Sequence, residues 1–255
     1  MTRVRKFLAA CVLAASSWIS TTTAWGADQL AIPAGSRVGI IAMMPSDVIH
    51  YHVGKTQQAS FMRTYRLTWP STESVDDQIA AMLKDMGFEP VFLDPTEQLR
   101  RQRQNWIVNN PLANKLPRPA EEEIQRILDA DNLQGLVIVT PGPNTNPESV
   151  QGNRLRRLPS YVQGWGFSTS DEPDGVTRPV VFNLTQMLLI GRATDAPDLI
   201  FREWGGAFVY EWPGFQPGED LKALTPEEIS AFRPVIQDIL QRQIGRLTPR
   251  IKVTG

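Results

Sequence analysis

The stretch Arg37-Val-Gly-Ile-Ile-Ala-Met-Met44 decides the fold of this 255-residue chain, because it is apolar at almost every consecutive position and is stopped by Pro45. A strand with one solvent-facing side alternates apolar and polar residues, whereas a continuous apolar run is typical of a strand buried on both faces. Gly135-Leu-Val-Ile-Val139 is a second run of this kind. Together the two runs predict the centre of a sheet with helices above and below.

Two antiparallel hairpins are predicted to extend this sheet. Residues 47–53 and 59–69 alternate in polarity around a turn and form the first hairpin, which has an aromatic face. Residues 180–190 and 198–204 flank a turn at 193–197 and form the second hairpin. The sheet is therefore expected to be mixed.

Apolar stripes at helical spacing predict three main helices. The first spans 74–87 and ends at Gly87, which supplies the left-handed conformation that stops a helix. The second spans 120–130. The third begins at Thr225 and continues to about residue 240, with a kink or break at Pro234.

These elements predict an α/β fold, a single domain over residues 27–255 with a mixed β-sheet, antiparallel hairpins and about three main helices packed on it. The chain shows no internal repeat and no clean linker that would divide it. Residues at about 141–178 lack a clear periodicity and are expected to form an irregular insertion, which at this length is mobile or functional.

Residues 1–26 have the charged, apolar, small-residue order of a secretory signal peptide. The apolar part, 7–19, is shorter than the roughly 20 residues that a membrane-spanning helix needs, so a cleaved leader is favoured over an anchor. Cleavage after Gly26 and cleavage after Ala24 are the two alternatives. We expect a protein exported to the periplasm that carries no transmembrane segment once the signal peptide is removed.

Cys11 is the only cysteine, and it lies inside this leader. Leu8-Ala9-Ala10-Cys11 resembles the lipobox of bacterial lipoproteins, but the apolar run continues past it, so lipid anchoring at Cys11 is the minor alternative. Without the leader, the chain has no cysteine for a disulfide or a thiol nucleophile. Its formal charge falls from −1 to about −4, and no clustered basic surface for nucleic acid is expected.

The order of elements resembles the periplasmic α/β domain shared by the curli-export lipoprotein, the lipoprotein activators of penicillin-binding proteins and the amino-terminal domain of the Tol translocation protein. The points of similarity are the buried strand at 38–44, the helix ending in Gly87, the step from Asp131 through Leu133 into 135–139, and the hairpin of 180–192 with 199–204. The 143–178 insertion departs from the usual pattern. The resemblance implies a non-catalytic envelope protein that docks to other molecules.

The only two histidines, His50 and His52, lie two positions apart on a predicted strand. Both imidazoles should project from one face, about 6.5–7 Å apart along the strand. Met43 and Met44 lie just upstream, and thioethers suit Cu(I). A periplasmic transition-metal-binding protein that uses His50 and His52 is therefore one alternative function. The other interpretation is a polar strand face, with the methionines in the core.

Evidence for catalysis in the sequence is limited to Asp171, Glu172 and Asp174, three carboxylates in one loop. Hydrolysis of an envelope polymer would need one of them to face another carboxylate across a cleft. The chain has no Gly-x-Ser-x-Gly elbow and no glycine-rich phosphate loop, so no nucleotide or other cofactor is expected. A hydrolase is the second alternative, and a solvated turn is the simpler reading.

The insertion combines Arg154, Arg156 and Arg157 with Tyr161 and Trp165. Arginine and aromatic residues are enriched where interfaces gain affinity. The sequence therefore predicts a non-catalytic binding or assembly factor of the cell envelope that contacts an envelope protein or glycan through these residues. The competing interpretation is a loop that packs against its own aromatic side chains.

Overall fold

The computed structural model describes most of the chain after residue 28. Eleven strands and five helices lie in these residues, and nine of the strands belong to one sheet. The described ranges are 29–67, 69, 71–106, 116–142, 162–171, 179–192, 197–204, 210–211, 215 and 221–254.

Strands and helices alternate in the order typical of an α/β fold. The strands are β1 (Leu30–Pro33), β2 (Arg37–Ala42), β3 (Asp47–Val53), β4 (Phe61–Arg66), β5 (Glu89–Phe92), β6 (Gly135–Pro141), β7 (Gly164–Ser170), β8 (Val180–Gly191), β9 (Asp198–Trp204), β10 (Tyr210–Glu211) and β11 (Ile251–Thr254). The helices are α1 (Ser71–Asp85), α2 (Glu97–Trp106), α3 (Arg118–Ala130), α4 (Pro226–Ser230) and α5 (Arg233–Leu247).

The large sheet is mixed, as the sequence predicts. Strand β2 lies between β5 and β6 and is parallel to both, which fits its continuous apolar sequence. Strand β3 pairs antiparallel with β4 and parallel with β7. Strands β6, β7, β9 and β10 all pair antiparallel with β8. Outside this sheet, β1 and β11 form a parallel pair. Both predicted hairpins, β3–β4 and β8–β9, are confirmed.

Strand β8 joins the two halves of the sheet. All twelve of its residues are buried. Its first part pairs with β7, where Gly164 lies opposite Leu184, and its second part pairs with β6, where Pro141 lies opposite Thr185. Leu184 and Thr185 are adjacent in β8. The end of β6 at Pro141 and the start of β7 at Gly164 therefore lie close together.

Strand β7 lies inside the segment at 141–178 that the sequence analysis treats as irregular, and for Gly164–Ser170 that prediction was wrong. The strand alternates Trp165, Phe167 and Thr169 with Gly166 and Ser168. Small polar residues and glycines obscured the alternation, because these residue types are common in loops. Its backbone pairs with β3 on one side and β8 on the other.

The core lies on both faces of the sheet. One face packs against α1, α4 and α5. The other face packs against α2 and α3, whose buried residues Leu99, Ile124, Ile127 and Leu128 recur at helical spacing. A third, smaller cluster joins Val162, Phe182 and Leu184. No helix in the described part of the chain is long and apolar enough to span a membrane.

The predicted signals at Gly87 and Thr225 are confirmed, whereas α1 begins at Ser71, three residues before the predicted start at Ser74. Gly87 has a φ of 85° and follows α1. The side chain of Thr225 accepts from the backbone N–H of Glu228, and the Glu228 carboxylate accepts from the Thr225 N–H, which completes a capping box at α4. The predicted break in the last helix divides it in two: α4 ends at Ser230, and α5 begins at Arg233 with Pro234 in its first turn.

Close packing at Gly166 gives a test of the β3–β7 register. A Cβ atom added there would lie 2.1 Å from the carbonyl oxygen of Ile49 and 2.5 Å from Cζ of Phe182. We expect Gly166→Ala to lower the free energy of unfolding by about 3 kcal/mol, since a backbone atom cannot yield as a side chain does. Chemical denaturation measures this change.

Gly245→Ala is the matched control for that substitution. Gly245 lies in α5 with nothing within 4 Å of the added Cβ. There the same change should raise the free energy of unfolding by about 0.5–1 kcal/mol, because alanine has less backbone freedom than glycine to lose when the unfolded chain forms the helix. Equal stability of the two variants would contradict the register.

Candidate functional site

The two histidines lie on one face of β3, as the sequence predicts. His50 is 0% exposed and His52 is 4% exposed. The strand places them there because its buried positions alternate through Val48, His50 and His52. Two imidazoles inside a protein need hydrogen-bond partners, since an unsatisfied buried polar group is costly.

Both histidines bond to one hydroxyl group. Nε2 of His50 and Nδ1 of His52 each lie 2.8 Å from Oγ1 of Thr169. Thr169 lies on β7 opposite His52, and Phe167 lies opposite His50. Thr169 is 1% exposed, so these three side chains share a buried site.

Asp171 closes the arrangement at its outer end. Nε2 of His52 lies 3.4 Å from Oδ1 of Asp171, whose side chain is 37% exposed. The other carboxylate oxygen, Oδ2, accepts from the backbone N–H of Lys55 at 3.1 Å. His50, Thr169, His52 and Asp171 thus form a continuous chain from the core to the surface, which we call the histidine chain.

The positions of donors and acceptors select one set of neutral tautomers. An Nε2–H on His52 donates to the Asp171 carboxylate, which leaves Nδ1 to accept from the Thr169 hydroxyl. The hydroxyl has a single hydrogen, so it accepts from an Nε2–H on His50 in return. Nδ1 of His50 then carries no hydrogen in the neutral ring, and the backbone carbonyl of Leu221 would favour a proton on this imidazole.

Aromatic rings cover the two imidazoles. The His50 ring stacks on Phe167 with 4.4 Å between centroids, and its edge contacts Phe61 at 5.2 Å. Tyr65 stacks on His50 at 6.3 Å, and Phe61 stacks on His52 at 4.9 Å. Phe61 and Tyr65 come from β4, which confirms the aromatic face predicted for the first hairpin.

Burial keeps both imidazoles neutral. It lowers the pKa of His50 from its ordinary value to about 3, and the neighbouring His52 adds to this shift, while the backbone carbonyl of Leu221 opposes it. Burial also lowers the pKa of His52; Asp171 opposes this shift and Lys222 adds to it. Both histidines are therefore uncharged at neutral pH.

A metal centre has little support in this geometry. The two nitrogens that converge are already bonded to Thr169. The described residues hold no group of three His, Cys, Asp or Glu side chains that could bind a metal ion. His50 stacks on Phe167, which belongs to the core cluster on one face of the sheet. Met43 packs in the cluster on the opposite face, so its thioether is not a ligand beside the two histidines.

The order Asp171–His52–Thr169 has the carboxylate, imidazole and hydroxyl of a nucleophilic triad, but not its accessibility. A catalytic hydroxyl must reach a substrate carbonyl. Thr169 is buried and bonded to a second imidazole, so its oxygen has no approach for a substrate. The arrangement is suited to holding strands together rather than to attack.

The carboxylates proposed for a hydrolase are placed only in part. Asp171 lies at the end of β7, where His52 and the backbone of Lys55 occupy its two oxygens. Glu172 and Asp174 lie outside the described residues. Asp171 thus has a structural role as the partner of His52.

The residues predicted to contact a partner separate into two groups. Arg154, Arg156, Arg157 and Tyr161 lie outside the described residues. Trp165 lies in β7 and is 1% exposed, because its side chain enters the core between the sheet and its helices. As a buried core residue it offers no surface for a partner, so its assignment to the contact set is corrected.

Sequence reasoning missed Thr169, the residue that joins the two histidines. The signal that could have found it is the alternation of Trp165, Phe167 and Thr169, which marks a strand with one apolar face. Thr169 continues that face, so its hydroxyl would then be a candidate hydrogen-bond partner for two histidines on a neighbouring strand.

Comparisons with known proteins place the chain in no family. No protein-family model and no curated protein sequence matches it. Among solved structures it is similar to the hypothetical protein CT253 of Chlamydia trachomatis, at 10% identity with a TM-score of 0.40. The match covers 83% of this chain and 97% of that chain. A likeness this weak carries no argument about function.

Removal of the shared hydroxyl tests the histidine chain. Thr169→Val keeps the shape of the side chain but leaves two imidazoles without their common partner. The free energy of unfolding should fall by about 1–3 kcal/mol. Thr64→Val, at an exposed position of β4, is the control and should change it by less than about 0.5 kcal/mol. A neutral Thr169→Val would show that the hydroxyl makes no such contacts.

The protonation states can be observed directly by nuclear magnetic resonance, because the chain has only two histidines. We expect both rings to carry their hydrogen on Nε2 at neutral pH. While it stays buried, the His50 ring should remain neutral well below the ordinary pKa of a histidine. Titration of either ring at its ordinary pKa, with the protein still folded, would contradict the buried geometry.

Proposed function

We propose that the protein is a non-catalytic binding or assembly factor of the cell envelope that contacts its partner through residues 143–161. One observation carries this proposal: the segment leaves the sheet beside Thr185 and returns beside Leu184, two adjacent residues of β8. The pairing of β8 therefore passes from β7 to β6 without interruption between Leu184 and Thr185. A long addition that the fold does not require is a candidate for function.

Both ends of this segment are fixed to the sheet. The backbone N–H of Gly142 donates to the carbonyl of Leu184 at 2.7 Å. At the other end, Val162 is 2% exposed and packs with Phe182 and Leu184. Such anchors support a role in binding, because a contact surface held on a rigid scaffold loses less entropy when it binds.

The residue types within the segment suit an anionic partner. Arg154, Arg156 and Arg157 bring three guanidinium groups close together in sequence, and Tyr161 adds an aromatic side chain. Guanidinium groups bind carboxylates and phosphates in a bidentate geometry. The partner is an envelope protein or a glycan that carries such groups.

The proposed compartment rests on residues 1–26, which have the pattern of a cleavable signal peptide. The resemblance to periplasmic docking domains agrees with an exported binding protein.

Replacement of residues 143–161 by a short Gly-Ser linker tests the proposed contact. The variant should unfold cooperatively with nearly the stability of the intact protein, because Gly142 and Val162 both lie beside Leu184. In the cells that produce it, the variant should no longer crosslink to, or co-purify with, the proposed envelope partner. The deletion must stop before Val162, since removal of β7 would unfold the sheet.

Point variants separate binding from folding in the same assay. A photo-crosslinking residue at position 154, 156 or 161 should yield a discrete crosslinked species. The same residue at three exposed arginines of the described surface, Arg100, Arg118 and Arg233, should not. If the linker variant keeps every crosslink and association, the contact surface lies elsewhere and the proposal is wrong.

Mass spectrometry of the mature protein tests export. A first residue at Ala27, Trp25 or Asp28 is the expected result, and a full-length chain that keeps Met1 would contradict it. A diacylglyceryl group on Cys11 would show that the lipobox is functional and that the protein is anchored.

A further inference from the structure

We propose that strand β4 is an acid-operated lid over the histidine chain: it closes on neutral imidazoles and opens as the pH falls and they take up protons. This inference concerns the described strands and is independent of the function proposed for 143–161. It rests on which strand covers the rings, how that strand is held and what charges surround it.

Strand β4 supplies the aromatic cover on one side of the imidazoles, and the backbone of Leu221 also contacts His50. Phe61 of β4 contacts the rings of both His50 and His52, and Tyr65 of β4 stacks on His50. On the other side the rings lie against Phe167 and Thr169 of β7, which is paired on both of its edges. Displacement of β4 would remove Phe61 and Tyr65 from the histidines and leave the β3–β7 pairing in place.

Strand β4 is also the element of this region that opens most easily. It ends the path of paired strands and, within the described residues, pairs only with β3. Its positions are exposed or half-buried, and Met62 is 42% exposed, whereas every residue of β6 is buried. Edge strands with few buried contacts open at a lower free energy than central strands.

Besides its pairing with β3, several contacts hold the lid closed. The backbone N–H of Leu67 donates to the carbonyl of Ser46 at 2.8 Å. The Tyr65 hydroxyl lies 3.5 Å from the carbonyl of Leu221 and 3.5 Å from the N–H of Leu224. The ammonium group of Lys222 lies 5.5 Å from the centre of the Phe61 ring.

The surrounding charges favour neutral rings when the lid is closed. Asp171 at the end of β7 is the carboxylate in contact with His52, and it favours a proton there. Lys222, in the turn before α4, opposes that proton. From β4, the exposed Arg63 lies opposite His50 in register, and Tyr65 is neutral at these pH values. Burial outweighs the attraction of Asp171.

The direction of the pH response follows from linkage. In the open state the pKa of each ring moves back toward its ordinary value of 6.5, whereas in the closed state both values are lower. Below pH 6.5 the open state therefore binds more protons, and acid favours it. Each histidine raises the ratio of open to closed molecules by up to about tenfold per pH unit, so the pair raises it by up to about a hundredfold.

Hydrogen exchange measured by mass spectrometry tests the lid. The protection of peptides from β4 and β6 is followed from about pH 8 to about pH 5 and corrected for the intrinsic exchange rate. We expect protection of β4 to fall by more than tenfold over the last pH unit while protection of β6 is unchanged. Equal loss in β4 and β6 would mean global unfolding and would overturn the proposal.

Variants distinguish a proton-linked lid from a strand that is merely loose. His52→Gln removes one titrating ring and should reduce the pH slope of β4 protection to at most about tenfold per unit. Phe61→Leu weakens the cover and should lower β4 protection at every pH without changing the slope. An unchanged slope in His52→Gln, or constant β4 protection in the intact protein, would show that the histidines do not drive the opening.

Discussion

The constraint on which the structure depends is the burial of β8 on both faces. A twelve-residue strand with no exposed position must pair its backbone groups within the sheet, because buried N–H and C=O groups without partners are costly. Four other strands supply those partners. The two halves of the sheet, β2 with β6 and β3 with β7, are therefore held by one strand, and the segment between Pro141 and Gly164 is an addition to it.

Polar residues in the second half of the sheet follow from the same constraint. His50, His52 and Thr169 lie at positions where the pattern of the first half would place apolar side chains. They are accommodated by bonding to one another, and rings from β4 and β7 exclude water from them. Such a network specifies the register of three strands, and its stability depends on the charge state of the imidazoles.

The sequence predicts the parts of this fold that local patterns determine. The continuous apolar runs at 37–44 and 135–139, the stop at Gly87 and the cap at Thr225 are all confirmed. Strand β7 was not predicted, because the glycine at position 166 suggested a loop. The structure shows that a glycine is needed there to make room for Phe182 of the neighbouring strand. That His50 and His52 lie on the same face of a strand can be predicted, because side chains alternate along a strand. Their hydrogen bonds to Thr169 cannot, because these join residues 119 and 117 positions apart in the sequence.

Residue-resolved hydrogen exchange along β8 tests the central claim, that one strand makes the two half-sheets a single cooperative unit. The most protected amides among residues 180–184 and among residues 185–191 should exchange with the same free energy, equal to that of global unfolding. Two distinct free energies, divided between Leu184 and Thr185, would show that the halves unfold separately and would contradict the account.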